Sequence, residues 1–153
     1  MKKKITILIA EDDEGHAILI KKNLKRAGIN NKVIHFFNGQ QLLDFLMKKN
    51  QEFCIKDGFP YVLILDVRMP KVDGIAVLEK LKQHEKLRKM PVVIISTTDD
   101  PDSIENCHEL GCNNYIVKPI EYDEFAGAIK QLGKFIKVMQ VPEIDQREKY
   151  EKY

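Results

Sequence analysis

Four short apolar stretches of the sequence are each followed directly by polar side chains that could do chemistry. If these stretches are neighbouring parallel strands, their carboxyl ends meet at one edge of a sheet, where open α/β sheets bind ligands. Acids, a hydroxyl and an ammonium group would then share one crevice. These side chains are Glu11 and Asp12 after the first stretch, Asp66 after the second, Ser96 after the third and Lys118 after the fourth.

Three of these side chains, Glu11, Asp12 and Asp66, are carboxylates. Two like charges about 4 Å apart repel by roughly 4 kcal/mol at an effective dielectric constant near 20, so three carboxylates in one crevice disfavour folding. A hard divalent cation removes this penalty, and Mg²⁺ commonly binds one or two carboxylates together with water. The pattern therefore predicts a Mg²⁺ site. Acids also favour helix N-termini, and we expect this plainer role for Asp13 and Glu14.

The lysine at the end of the fourth stretch also needs a partner. An unpaired buried ammonium is very costly, so we expect Lys118 to contact the carboxylate of Asp66 or a group attached to it. The hydroxyl of Ser96 can donate to the same place. A carboxylate, a divalent cation, an ammonium and a hydroxyl together favour phosphoryl transfer, with the carboxylate as the covalent nucleophile.

The elements that position these residues follow from the apolar pattern. Three runs are continuous and rich in β-branched residues, which is typical of strands buried on both faces of a parallel sheet, and two weaker runs resemble them. Between the runs, apolar residues recur at steps of three and four, as in amphipathic helices. The alternation predicts an α/β fold, a (βα)5 doubly wound parallel five-stranded sheet. The predicted strands are residues 5–10, 32–37, 61–65, 91–95 and 113–117, and the helical stripes begin at Ala17, Leu42, Ile75, Ile104 and Phe125.

Composition excludes several classes of protein. The 153 residues carry 25 basic and 23 acidic side chains, so the net charge of +2 argues against a direct nucleic-acid binder. No apolar stretch approaches the ~20 residues of a membrane span, and the first apolar run is too short for a signal peptide. The three cysteines indicate free thiols in a reducing compartment, so we expect a cytoplasmic protein.

The length fits one domain. We expect that domain to span residues 1–140, followed by a charged tail, residues 141–153, that frays or extends the last helix. We therefore expect no output domain.

Taken together, these residues resemble the receiver domain of two-component response regulators. The family pattern is an acidic pair after strand 1, a D-x-x-M-P-x-x-D-G run after strand 3, a Ser or Thr after strand 4 and a K-P pair after strand 5. The resemblance covers residues 5–138. The matching residues are Glu11-Asp12, then Asp66-Val67-Arg68-Met69-Pro70-Lys71-Val72-Asp73-Gly74, then Ser96, then Lys118-Pro119.

This resemblance implies a flavodoxin-like strand order of 2-1-3-4-5 and a role for each matching residue. Asp66 would accept a phosphoryl group from a sensor histidine kinase or a histidine phosphotransfer protein. The ligands of Mg²⁺ would be Glu11, Asp12, Asp66 and the backbone carbonyl of Arg68. Lys118 and Ser96 would bind phosphoryl oxygens.

The resemblance also implies a switch that is read by a downstream protein target. Tyr115 would turn inward as Ser96 moves, although a half-buried strand aromatic is the plainer interpretation of Tyr115. The peptide bond between Lys118 and Pro119 would be cis. Thr97 stands where a small Ala or Gly is common in the family, which would narrow access to the phosphoryl group. We expect the four histidines to be surface or packing residues and the three cysteines to be core or loop residues.

A narrower resemblance is to stand-alone receivers that partner bacterial phytochromes. It rests on the long loop at residues 50–60, the stretch 97–102, and a fifth helix that leads to Val141-Pro142. In that group the fifth helix and the tail support dimers, so a homodimer is an expectation here. The stripe on this helix should nevertheless face the core first; it comprises Phe125, Ile129, Leu132 and Ile136.

Other functions compete with this interpretation. An FMN carrier shares the fold class, but four consecutive acids after strand 1 would repel its phosphate. A Mg²⁺-dependent phosphatase with an Asp nucleophile would use Asp12 rather than Asp66. A receiver that binds proteins without being phosphorylated is a third alternative. We favour a single-domain response regulator that is phosphorylated on Asp66 and turns over no metabolite, so we do not classify it as an enzyme.

Overall fold

The apolar runs of the sequence form the strands of one parallel sheet. The computed structural model describes residues 3–48, 52–119 and 121–147. The strands are β1 (Thr6–Ala10), β2 (Val33–Phe36), β3 (Phe59–Leu65), β4 (Val92–Ser96), β5 (Asn114–Val117) and β6 (Glu143–Ile144). The helices are α1 (Glu14–Arg26), α2 (Gly39–Met47), α3 (Gly74–Gln83), α4 (Pro101–Leu110) and α5 (Tyr122–Val138), with a short 3-10 helix at Leu87–Lys89.

The parallel strands lie in the order β2-β1-β3-β4-β5, which confirms the predicted α/β fold and strand order. The order reverses at the pair formed by β1 and β3, where crevices form beyond the strand ends. In the register of this pair, Ala10 lies opposite Leu65. Consequently Glu11 and Asp66 leave the sheet side by side.

Two apolar cores cover the two faces of the sheet, because alternate strand residues point to opposite sides. On β1, Ile7 and Ile9 join the core that is shared with α1 and α5. Leu8 and Ala10 join the core that is shared with α2, α3 and α4. The predicted stripe of α5 lies in the first of these cores: Phe125, Ile129, Leu132 and Ile136 are all buried.

Helices α1 and α3 begin at the carboxyl edge of the sheet, and each starts with a capping aspartate. Asp13 caps α1 by accepting a hydrogen bond from the backbone N–H of His16 at 3.0 Å. Asp73 caps α3 in the same way, through the backbone N–H of Ala76 at 2.9 Å. Each cap satisfies a helical N–H that would otherwise lack a partner. The first turns of α1 and α3 therefore flank the ends of β1 and β3.

The tail after α5 is not arranged as the sequence suggested. The expectation that it frays or extends the last helix is wrong for residues 143 and 144, which form β6 and pair antiparallel with the start of β3. Ile144 is buried, and its carbonyl accepts a hydrogen bond from the backbone N–H of Gly58 at 2.8 Å. The backbone N–H of Gln146 also donates to Oδ1 of Asp57 at 2.7 Å, so apolar burial and hydrogen bonds together dock the tail. Residues 148–153 of the predicted tail lie outside the described residues, and the division of the chain at residue 140 stays a prediction.

The peptide bond between Lys118 and Pro119 is trans, so the expected cis bond is wrong. The two isomers of an X–Pro bond differ by only about 0.5–1 kcal/mol, so the surrounding loop decides between them. None of the helices within the described ranges combines the length and the apolar character that crossing a membrane requires.

Candidate functional site

Three carboxylates meet where β1 and β3 end. Glu11, Asp12 and Asp66 each offer an oxygen atom, and these three atoms lie within 4.8 Å of one another. Glu11 and Asp66 are only 2% and 7% exposed, whereas Asp12 is open to solvent. Two buried oxygen donors beside an exposed one are a donor set that suits a hard divalent cation that retains several waters.

The ammonium group of Lys118 forms hydrogen-bonded ion pairs with both buried carboxylates. Its Nζ atom donates to Oε1 of Glu11 at 2.6 Å and to Oδ2 of Asp66 at 3.1 Å. Lys118 is itself buried, so these bonds compensate for a charge that would be costly without them. The contact with Asp66 was expected from the sequence, but the shorter contact with Glu11 was not.

Glu11 holds its proton far more tightly than an ordinary glutamate. Burial, followed by a hydrogen bond shared with Asp66, raises the pKa of Glu11 from 4.5 to about 7, and Lys118 only partly offsets this. Both the backbone and the side chain of Glu11 are held by hydrogen-bond contacts. Its carbonyl contacts Nε2 of His35 at 2.7 Å, and its Oε2 accepts a hydrogen bond from the backbone N–H of Asp13 at 3.2 Å. His35, expected to be a surface or packing residue, thus helps to position a carboxylate of the site.

The loop after β3 fixes the backbone of Asp66. The N–H of Gly74 donates to the carbonyl of Val67 at 2.7 Å, and a Cβ atom on Gly74 would overlap the backbone carbonyl of Asp66. Both residues of the D-G pair in the sequence motif therefore have a structural role, because Asp73 caps α3 and Gly74 allows the backbone of Asp66 to pack closely against it.

Arg68 and Asp12 line one open cavity of about 440 Å³. The metal-ligand role of the Arg68 carbonyl stays a prediction.

Ser96 is fully buried at the end of β4. Its Oγ atom accepts a hydrogen bond from the backbone N–H of Thr98 at 3.2 Å, which shapes the turn that follows the strand. The next residue, Thr97, is exposed and lines a cavity of about 370 Å³ together with His16 and Lys118. Thr97 thus borders an approach to the ammonium group of the site.

Tyr115 ties β5 to the loop after β4. Its hydroxyl donates to the backbone carbonyl of Thr98 at 2.8 Å, and its ring packs against the core on the α2–α4 side. Burial raises the pKa of Tyr115 above its ordinary value of 10. The hydroxyl is therefore a neutral donor at physiological pH, and it links Tyr115 to the same turn that Ser96 shapes.

The prediction for His16 from sequence was wrong. This residue is not a mere surface or packing histidine, because its Nδ1 atom lies 3.1 Å from Nζ of Lys118. The available signal was its place four residues after Asp12, in the first turn of a helix that starts at the carboxyl edge of the sheet.

Comparison with known proteins agrees with this geometry. Residues 7–130 match the family model described as the response regulator receiver domain. The receiver domain of a response regulator from Rhodospirillum rubrum is 45% identical in sequence. Its structure gives a TM-score of 0.86, with 92% of this chain and 99% of that chain covered.

Two further similar proteins are response regulators from cyanobacteria. Rcp1 from Synechocystis is 30% identical over 112 residues, which is 73% of this chain and 75% of Rcp1. A structure of Rcp1 in its Mn²⁺-bound form gives a TM-score of 0.79 at 25% identity, covering 90% of this chain and 98% of that one. The phosphorylated cyanobacterial phytochrome response regulator RcpA gives a TM-score of 0.81 at 26% identity, covering 93% and 99%.

Proposed function

Because this chain belongs to the response regulator receiver family of two-component signalling, we propose that Asp66 accepts a phosphoryl group in a Mg²⁺-dependent reaction. The observation that carries this proposal is the position of the Asp66 carboxylate. It lies 3.1 Å from the ammonium of Lys118 and shares its crevice with two further carboxylates that can bind a cation. A nucleophile, a positive charge and a set of oxygen ligands thus occupy one strand end.

The proposed donor is a phosphorylated histidine on a sensor kinase or a phosphotransfer protein. A carboxylate oxygen of Asp66 attacks the phosphorus atom, a new O–P bond forms, the N–P bond breaks, and its electron pair leaves with the imidazole nitrogen. Lys118 then turns an N–H toward the phosphoryl oxygens. Glu11, Asp12, Asp66 and the Arg68 carbonyl would hold Mg²⁺, which would neutralise the charge of the phosphoryl group in transfer.

The proposed switch begins with the charge that the phosphoryl group adds, about −1.5 to −2. Ser96 is drawn toward the new acceptor oxygens, which loosens its bond to the backbone N–H of Thr98. Since Tyr115 donates to the carbonyl of Thr98, the change at Ser96 reaches β5 through that turn. The face of α4, β5 and α5, where Val117 and Tyr122 are exposed, would then change shape for a downstream protein target.

Similarity to Rcp1 and RcpA supports a phytochrome-type histidine kinase as the partner. A homodimer through α5 and the tail also stays a proposal. The buried stripe of α5 is occupied by the core, so such a dimer would use its outer face, where Phe135 and Val138 are exposed. We likewise propose that the protein turns over no metabolite and is located in the cytoplasm.

The test is the intact mass of the protein after incubation with acetyl phosphate, with and without Mg²⁺. We expect a gain of one phosphoryl group that requires Mg²⁺, disappears in Asp66→Asn and persists in Asp44→Asn, which removes a half-buried carboxylate on α2. A gain that survives Asp66→Asn but is lost in Asp12→Asn would identify the phosphatase-like nucleophile instead. No gain, either with acetyl phosphate or with a phosphorylated histidine kinase, would contradict the proposal and favour a receiver that only binds proteins.

A further inference from the structure

We propose that His16 is a positioning residue that holds the ammonium group of Lys118 in place for the phosphoryl group. This inference rests on the proposed function, because it assigns a task to a neighbour of the same site. His16 lies in the first turn of α1, and its backbone N–H is fixed by the Asp13 cap at 3.0 Å. From there its side chain reaches across the crevice to Lys118 at the end of β5.

The hydrogen bonds of Lys118 assign the tautomer of His16. An ammonium group has three N–H donors and no lone pair, so every partner must accept. The three acceptors are Oε1 of Glu11 at 2.6 Å, Oδ2 of Asp66 at 3.1 Å and Nδ1 of His16 at 3.1 Å. Nδ1 of His16 therefore accepts this hydrogen bond, which places the ring proton on Nε2. The nearest carboxylate oxygens, on Glu11 and Asp13, both lie 3.9 Å from Nδ1 and are beyond hydrogen-bond reach.

His16 differs from the other two acceptors in what phosphorylation demands of it. Asp66 becomes the acyl phosphate and Glu11 turns to the cation, so both loosen their hold on Lys118. His16 is neither nucleophile nor metal ligand, and its bond can persist while Lys118 redirects a donor to a phosphoryl oxygen. The imidazole also packs against Phe125 on α5, with 6.2 Å between the two ring centroids. Of the three acceptors of Lys118, His16 is therefore the one whose hydrogen bond is retained when the site is phosphorylated.

The kinetic test compares phosphorylation rates of His16→Leu and His16→Asn with wild type over a range of acetyl phosphate concentrations. Leu removes the acceptor, whereas the amide oxygen of Asn can take the place of Nδ1. We expect the rate divided by the half-saturating concentration to fall about tenfold in His16→Leu, as is typical when an orienting partner is lost. His16→Asn should recover most of it. Equal rates for wild type and His16→Leu, or equal losses in the two variants, would overturn the proposal.

A double-mutant cycle separates positioning from folding. In a Lys118→Met background, His16→Leu should cause no further loss, because the group that it positions is gone. The same tenfold loss in both backgrounds would show that His16 acts independently of Lys118, which contradicts the proposal. Urea unfolding of each variant checks that the fold is retained.

A spectroscopic test does not depend on phosphorylation at all. Long-range ¹H–¹⁵N spectra should show His16 as the Nε2–H tautomer in wild type and a mixture of tautomers in Lys118→Met. His84 is the internal reference, because its Nδ1 accepts two backbone N–H bonds, from Lys86 and Leu87, and should not respond to Lys118. A His16 spectrum that is unchanged in Lys118→Met would refute this inference even if Asp66 is phosphorylated. If wild type gains no mass, the proposed function is refuted, but the tautomer of His16 can still be measured and compared with that in Lys118→Met.

Discussion

Lys118 lies closer to Glu11 than to the proposed nucleophile: its Nζ atom is 2.6 Å from Oε1 of Glu11 and 3.1 Å from Oδ2 of Asp66. The ammonium is thus shared between a proposed metal ligand and the proposed nucleophile. Binding of a cation has to compete with Lys118 for Glu11 and with the proton that the raised pKa of Glu11 favours. Metal binding at the proposed site would therefore be coupled to proton release and to the position of Lys118.

The first prediction concerns the pH dependence of Mg²⁺ binding. Because the pKa of Glu11 is about 7, Mg²⁺ must displace a proton at lower pH. We expect the affinity to be constant well above pH 7 and to fall roughly tenfold for each pH unit below it. Calorimetric titration at pH 6, 7 and 8 measures this, and it suits a chain that has no tryptophan. Equal affinity at pH 6 and pH 8 would refute the role assigned to Glu11.

Glu11→Gln is the control for that prediction, and it should bind Mg²⁺ more weakly at every pH without the pH dependence. The same pKa also predicts how stability depends on pH when no metal is added. Stability should decrease with rising pH, whereas the affinity for Mg²⁺ should increase. The folded pKa of Glu11 lies above its unfolded value of 4.5, so the folded state binds more protons between these values. The free energy of unfolding should therefore fall as pH rises from 4.5 through 7, and this component should be missing in Glu11→Gln.

The second prediction is that Lys118→Met destabilises the metal-free protein. The substitution leaves the carboxylates of Glu11 and Asp66 buried without their cation. Breaking a buried ion pair costs about 3–5 kcal/mol, and we expect about 3 kcal/mol at pH 8, since Glu11 can take up a proton. Urea unfolding at pH 8 measures the loss. Lys137→Met, an exposed lysine on α5, should change stability by less than about 0.5 kcal/mol, and equal effects of the two variants would contradict the account.

The third prediction compares two glycines. A Cβ atom at Gly74 would overlap the backbone carbonyl of Asp66, so Gly74→Ala must displace the loop that holds the proposed nucleophile. We expect a loss of about 1–3 kcal/mol in stability and a slower reaction with acetyl phosphate. Gly127 lies within α5 with no atom within 4 Å of a Cβ, so Gly127→Ala should stabilise the helix by about 0.5–1 kcal/mol and leave phosphorylation unchanged. A Gly74→Ala protein that is as stable and reactive as wild type would show that this packing is not required.

The fourth prediction concerns the docked tail. Ile144 is buried where β6 pairs with β3, so Ile144→Ala should cost about 2–4 kcal/mol in the free energy of unfolding. Val138 at the end of α5 is 72% exposed, and Val138→Ala should cost less than about 0.5 kcal/mol. Urea unfolding distinguishes the two. Similar small effects would indicate that β6 contributes nothing to stability.

The meeting of Glu11, Asp66 and Lys118 could be predicted from the sequence because each residue directly follows a parallel strand. The register of such strands leaves little freedom for the residue after each strand end, and Ala10 indeed lies opposite Leu65. Continuous apolar runs also predicted both faces of the sheet, because buried parallel strands need apolar residues on each side.

Other features depended on information that residue spacing does not carry. The contact of His16 with Lys118 spans 102 residues and requires the exact placement of α1 relative to the sheet. β6 has only two residues, which is too short for any periodic signal. The isomer at Pro119 is decided by a small energy difference that the loop controls.

The central claim, that Asp66 is the phosphorylated residue, is tested most directly by trapping the acyl phosphate. Borohydride reduces a phosphorylated aspartate to homoserine, and peptide mass spectrometry then identifies its position in the chain. After treatment with acetyl phosphate and Mg²⁺, we predict homoserine at position 66, and none in protein incubated without the phosphodonor. Homoserine at position 12 instead, or no homoserine in protein that has gained a phosphoryl group, would contradict the account.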